Sequence, residues 1–112
     1  MMQNNPNTPV YPIVHHVFFW LKNPESTTDR DQLIEGIKTL KKIETVQDLQ
    51  VGIVADTERR PVIDHSWHVS ELMFFNDLEG QGLYQSHPLH LAFIENCSHL
   101  WEKVLVYDIQ SV

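Results

Sequence analysis

Cysteine, glycine and positive charge are all scarce in this chain. A single cysteine, Cys97, rules out an internal disulfide and suits a reducing compartment. With no electropositive surroundings in view, it reads as a buried, inert thiol. Four glycines are too dispersed to form a phosphate-cradling loop, and no Ser/His/Asp hydrolase signature is present. Eight Lys and Arg stand against fifteen Asp and Glu, for a formal net charge of −7. An acidic chain without a basic cluster is a poor partner for nucleic acid, where affinity comes mainly from neutralised phosphates. No apolar run approaches the roughly 20 residues of a membrane span. Residues 1–9, Met1 to Pro9, have neither the positive start nor the apolar stretch of a secretory signal. They read as a polar, Pro- and Asn-rich leader. The expectation is a disordered leader over residues 1–12, one domain over 13–112, a cytoplasmic setting, and no nucleic-acid or membrane partner.

What the chain does have is strong local patterning. Ile13 to Leu21 is apolar on both alternations and rich in β-branched and aromatic residues, as in a central strand covered on both faces. One phase is His15, Val17, Phe19 and Leu21; the other is His16, Phe18 and Trp20. Helices are expected on one face. A chain of 112 residues has little left to cover the other, which hints at a second subunit. Asn23-Pro24 ends the strand, Ser26 to Asp29 offers helix caps, and Leu33, Ile34, Ile37 and Leu40 form one stripe. That predicts a helix from about Asp29 to Lys42, with Gly36 inside it at a cost of about 1 kcal/mol. Val46–Val54 and Ser66–Phe75 read as strands separated by a charged loop containing Pro61. Asn76-Asp77 caps a short helix leading to Tyr84, and Lys103–Ile109 reads as the last strand. The order β-α-β-β-α-α-β predicts an α+β, ferredoxin-like split βαβ fold: a four-stranded antiparallel sheet with helices on one face.

The most informative stretch is Tyr84 to Ile94. Pro88 suits a first helical turn, so Ser86 or His87 is the cap. Leu89, Phe93, Ile94, Cys97, Leu100 and Trp101 then recur at helical spacing, and His90 falls near the middle of that apolar face. His87-x-x-His90 and His65-x-x-His68 have ligand-like spacing, but a metal site also needs convergent carboxylate or thiolate partners, and residues three apart around a Pro88 cap do not share a face cleanly. No metal and no cofactor is expected.

Four segments resemble the stress-responsive A/B barrel, or Dabb, family. His15-His16-Val-Phe-Phe-Trp-Leu-Lys22 is similar to the family's opening strand, with His15 at its histidine position. Leu83-Tyr84-Gln-Ser-His87-Pro88-Leu-His90-Leu-Ala-Phe93 matches its Tyr-x-x-His-Pro-x-His-x-x-Phe core. Trp101 to Asp108 resembles its closing strand, and the strand ending at Phe75 is the fourth segment. Glu71 departs from the pattern, standing where the family tends to be apolar. The resemblance implies a homodimer whose sheets pack face to face as an α+β barrel. It also implies a pocket between sheet and helices for a small, mostly apolar ligand, aromatic or polyketide-like. Plant polyketide cyclases of the family place acid–base chemistry at the positions of Tyr84 and His90. An imidazole near neutrality can take a proton, and a tyrosine can hold the oxygen that gains charge. His15, Val17, Phe19, His87 and Phe93 are the accompanying candidates for ligand contact. The alternative is a non-catalytic, stress-related dimeric module whose histidines serve packing alone.

Overall fold

The computed structural model describes residues 11–112; the leader expected over 1–12 therefore lies outside it except for Tyr11 and Pro12. Those two residues run beside the end of the chain, where the Ser111 amide donates to the Pro12 carbonyl at 2.8 Å.

Four strands form one antiparallel sheet in the order β2-β3-β1-β4. They are β1 (Ile13–Leu21), β2 (Asp48–Gly52), β3 (Val69–Phe75) and β4 (Trp101–Gln110). Three α-helices, α1 (Thr27–Thr39), α2 (Leu78–Ser86) and α3 (Pro88–Cys97), complete the split βαβ arrangement. In β1, Ile13, His15, Val17, Phe19 and Leu21 are buried, while Val14, His16, Phe18 and Trp20 are half-exposed. Alternation therefore works as expected on the central strand: one phase meets the core. In β3, Val69, Glu71, Met73 and Phe75 take the buried phase. Among the described residues no helix covers the second face. Half-exposed Leu72 and Phe74 and exposed Leu105, Tyr107 and Ile109 join the outward phase of β1 there.

The helices begin where their caps lie. Ser26 accepts from the Asp29 amide at 3.1 Å, and Asp77 from the Gly80 amide at 2.7 Å. Several bounds differ from those read from the sequence. The first helix ends at Thr39 and tightens into a 3₁₀ turn over Leu40–Lys42, a common way to close a helix. Only Asp48–Gly52 and Val69–Phe75 keep ladder geometry in the second and third strands. Ser66 and Trp67 are held instead by local bonds to Asp64. Trp101 does not continue the α3 stripe. A 3₁₀ turn over Ser98–Leu100 stops the helix, and Trp101 opens β4 opposite Leu21.

Gly36 marks a close approach of α1 to α3. A Cβ there would lie 2.6 Å from Cys97 Sγ and 3.3 Å from Phe93 Cδ1. Gly36→Ala gains helix propensity worth about 1 kcal/mol but overpacks the contact by about 1–3 kcal/mol. The expected result is a net loss of stability in urea denaturation that disappears in a Cys97→Ala background. Equal effects in both backgrounds would show that the sulfur is not what limits the contact.

Candidate functional site

A half-open cavity of about 270 Å³ lies between the sheet and the α2–α3 layer. Its floor comes from alternate residues of β1 (His15, Val17, Phe19), from Glu71 on β3, and from Val104, Val106 and Asp108 on β4. Its roof comes from Tyr84 and Gln85 on α2, and His90, Phe93 and Ile94 on α3; Trp101 closes one end. Period-two alternation puts His15, Val17 and Phe19 on one wall, and the helix break at His87 turns α3 so that His90 faces Tyr84. The two rings stand 4.5 Å apart, centroid to centroid. Phe19, Phe93 and Trp101 form an aromatic wall, with Trp101 at 5.0 Å from Phe19 and 5.7 Å from Phe93.

Hydrogen bonds settle which nitrogens are free. His90 Nδ1 lies 3.0 Å from the Gln85 carbonyl, which can only accept. Nδ1 therefore carries the proton and, in the neutral ring, Nε2 keeps a lone pair. Burial holds the His90 pKa below its ordinary value, and the neighbouring His15 adds to this against the opposing Gln85 bond. His15 Nδ1 donates to Asp108 Oδ1 at 2.6 Å, directly across the β1–β4 ladder. The Gln81 amide donates to the same oxygen at 3.1 Å. His15 Nε2 then lies 3.9 Å from Glu71 Oε2, too far for a hydrogen bond. Glu71 is 2% exposed, and burial pushes its pKa up from 4.5 to about 8. Tyr84 is 1% exposed; burial, and then the charge Glu71 carries when ionised, push the phenol far above its ordinary value.

Six of the seven residues singled out from the sequence line this cavity: His15, Val17, Phe19, Tyr84, His90 and Phe93. His87 does not. Its Nδ1 accepts from the Leu89 amide at 3.0 Å as the cap of α3, and its Nε2 faces Glu44 Oε2 at 3.3 Å. A residue between two helices must leave helical geometry, and that points its ring at the backbone it caps. Among the described residues no group of three His, Cys, Asp or Glu side chains is arranged to hold a metal ion. Asp108 was missed as a partner for His15. The available signal was its place in the closing strand, but strand pairing is not written in local sequence.

The family model for the stress responsive A/B barrel domain matches residues 13–111. A Dabb family protein with a ferredoxin-like fold from Mesorhizobium loti is 26% identical, covering 92% of this chain and 99% of its own, with a TM-score of 0.74. A dimeric ferredoxin-like protein of unknown function from Thermobifida fusca is 14% identical, covering 98% and 100%, with a TM-score of 0.73. The hydroxynitrile lyase of Passiflora edulis is 19% identical, covering 93% and 96%, with a TM-score of 0.73. The last two likenesses are of fold. Among curated proteins there is no significant match.

Proposed function

This chain belongs to the stress responsive A/B barrel domain family, and from that premise we propose a homodimeric barrel protein whose cavity binds a small, mostly apolar molecule, aromatic or polyketide-like, with Tyr84 and His90 as an acid–base pair. The observation that carries this reading is open space between sheet and helices where side-chain packing would otherwise be expected, walled by apolar groups and entered by two hydrogen-bonding rings. Its volume of about 270 Å³ suits a ligand smaller than a typical drug, whose sites span roughly 300–1,000 Å³. The second apolar face of the sheet supports the dimer, since a face bearing Phe18, Leu72, Phe74 and Tyr107 gains by burial against its own copy. The dimeric description of the Thermobifida fusca protein supports it too.

The chemistry assigned to each ring follows its environment. His90, neutral at pH 7 with a lone pair on Nε2, takes a proton from an acidified C–H or a phenol of the ligand. Tyr84 keeps its own proton and donates a hydrogen bond to the oxygen on which charge develops. Native mass spectrometry followed by NMR titration with 2-naphthol tests both parts. The expected result is a dimer mass, with amide shifts gathered at Val17, Tyr84, His90, Phe93 and Trp101. A monomer overturns the barrel, and shifts that avoid these residues overturn the cavity reading.

A further inference from the structure

Among the described residues, His15 and Glu71 are the only His, Asp, Glu, Lys or Arg side chains that are buried, and both line the same cavity. Their situations differ. His15 is committed to Asp108 through Nδ1. Glu71 sits one diagonal step away across the β1–β3 ladder, with Val17 as its direct partner. Among the described residues its carboxyl has no hydrogen-bond partner, and the His15 Nε2 that faces it is 3.9 Å off. The cavity is therefore the only side from which this almost buried carboxyl, unpaired by protein, can be met by a hydrogen-bonding group. No Lys or Arg lines the cavity, and its two imidazoles are engaged through Nδ1, His15 with Asp108 and His90 with the Gln85 carbonyl.

Resting on the ligand-cavity reading above, we infer that Glu71 sets the specificity of this site: its carboxyl donates a hydrogen bond to the oxygen of an uncharged carbonyl ligand and turns carboxylates away. An acid that carries its proton is a donor, as the Tyr84 hydroxyl on the roof is. A carbonyl oxygen, with two lone pairs, accepts from both. A carboxylate would meet the buried Glu71 and the Asp108 carboxylate, with no Lys or Arg to pair with and the nearest imidazole, His15, already bonded to Asp108. Burial supports this, because it keeps Glu71 protonated up to about pH 8. The titratable groups that share the cavity with Glu71 are His15 on β1, Tyr84 on α2, His90 on α3 and Asp108 on β4. The residues of α1 and β2 packed on the core, Leu33, Ile37, Leu49 and Val51, carry no charge.

The test is binding of a matched pair, 2-acetylnaphthalene and 2-naphthoate, to the full-length protein and to Glu71→Gln, by calorimetry at about pH 6 and about pH 9.5. In the native protein at the lower pH the ketone is expected to bind at least roughly tenfold tighter than the carboxylate. Its affinity falls roughly tenfold or more at the higher pH, as the proton-bearing fraction of Glu71 shrinks. In Glu71→Gln that fall disappears, because an amide donates at every pH, while effects of His15 or Asp108 remain. Ketone affinity that is flat with pH in the native protein, or that falls equally in Glu71→Gln, overturns the role of Glu71 while leaving the cavity reading intact. Failure of both compounds to bind either protein overturns the cavity reading and this inference with it.

Discussion

Glu71→Gln is expected to be more stable than the native protein at about pH 9 and close to it at about pH 5, when both are unfolded in urea across that range. The reason is linkage. Glu71 is pushed up from 4.5 to about 8 in the folded protein. Between those values the folded state holds a proton that the unfolded state has released. Stability contributed through this group is therefore full below about pH 4.5 and is lost progressively as pH rises toward 8. The slope reaches up to about 1.4 kcal/mol per pH unit, so the whole window is worth several kcal/mol. That is a large share of the roughly 5–15 kcal/mol available to a domain. Two histidines act in the opposite sense. His16 and His90 are both lowered, chiefly by burial and then by the charge of His15. Each binds protons more weakly folded than unfolded, so each contributes stability that increases as pH rises through their ordinary value of 6.5. The native profile is thus a rise from the histidines set against a fall from Glu71. Removing the carboxyl should leave the rise alone. An alkaline decline that persists unchanged in Glu71→Gln would show that this carboxyl is already ionised, or already solvated, in the folded state.

Phe75→Ala is expected to cost about 3–5 kcal/mol, the range for removing a large aromatic from a close-packed core. Phe75 is fully buried at the end of β3. Its ring lies 5.5 Å from Tyr84 and 6.4 Å from His15, centroid to centroid, so it packs directly behind the cavity floor and roof. The substitution removes the contacts that hold Tyr84 in place and opens a void that β3, paired on both sides, cannot move to fill. Phe75→Leu keeps most of the volume and should lose far less. Urea denaturation of the two variants decides the matter, and 2-naphthol binding by the survivors shows whether Tyr84 has moved. A loss below about 1 kcal/mol for Phe75→Ala would mean that α2 settles onto the sheet and closes the gap.

The link between core and site explains why so many site residues are also core residues. Val17, Phe19, Tyr84 and Phe93 are each at most 5% exposed, yet all four touch the cavity. A cavity built from such residues is held open by the stiffness of its frame: a central strand paired on both sides and two helices hinged at His87. Core truncation and loss of binding should therefore travel together here, and a variant such as Glu71→Gln, which keeps volume, is the more informative probe of chemistry.

Sequence alone determined what depends on neighbours within a few residues. The alternation of Ile13–Leu21 identified the central strand and its two faces. The caps at Ser26, Asp77 and the His87-Pro88 pair located three helix starts, because capping is a bond between a side chain and an amide two or three positions on. Tyr84 and His90 were legible for the same reason, lying six positions apart in a motif with its own punctuation at Pro88. The fold class was legible too: the order of elements implies a four-stranded antiparallel sheet with helices on one face. Tertiary structure decided what depends on distant pairing. His15 finds Asp108 from 93 residues away, a partnership set by the register of β1 on β4. Period-two alternation groups Glu71 with Trp67 and Met73, but phase does not say which face is covered. Only the helices lying over that face turn the carboxyl into a desolvated group beside His15. Trp101 looked like a further helical residue because its spacing fitted. The 3₁₀ turn before it, and pairing with Leu21, made it a strand residue and a wall of the cavity. Local patterns are fixed by bonds that close within a turn or a pleat. The cavity is fixed by where four strands and three helices meet, and no short window of sequence contains that meeting.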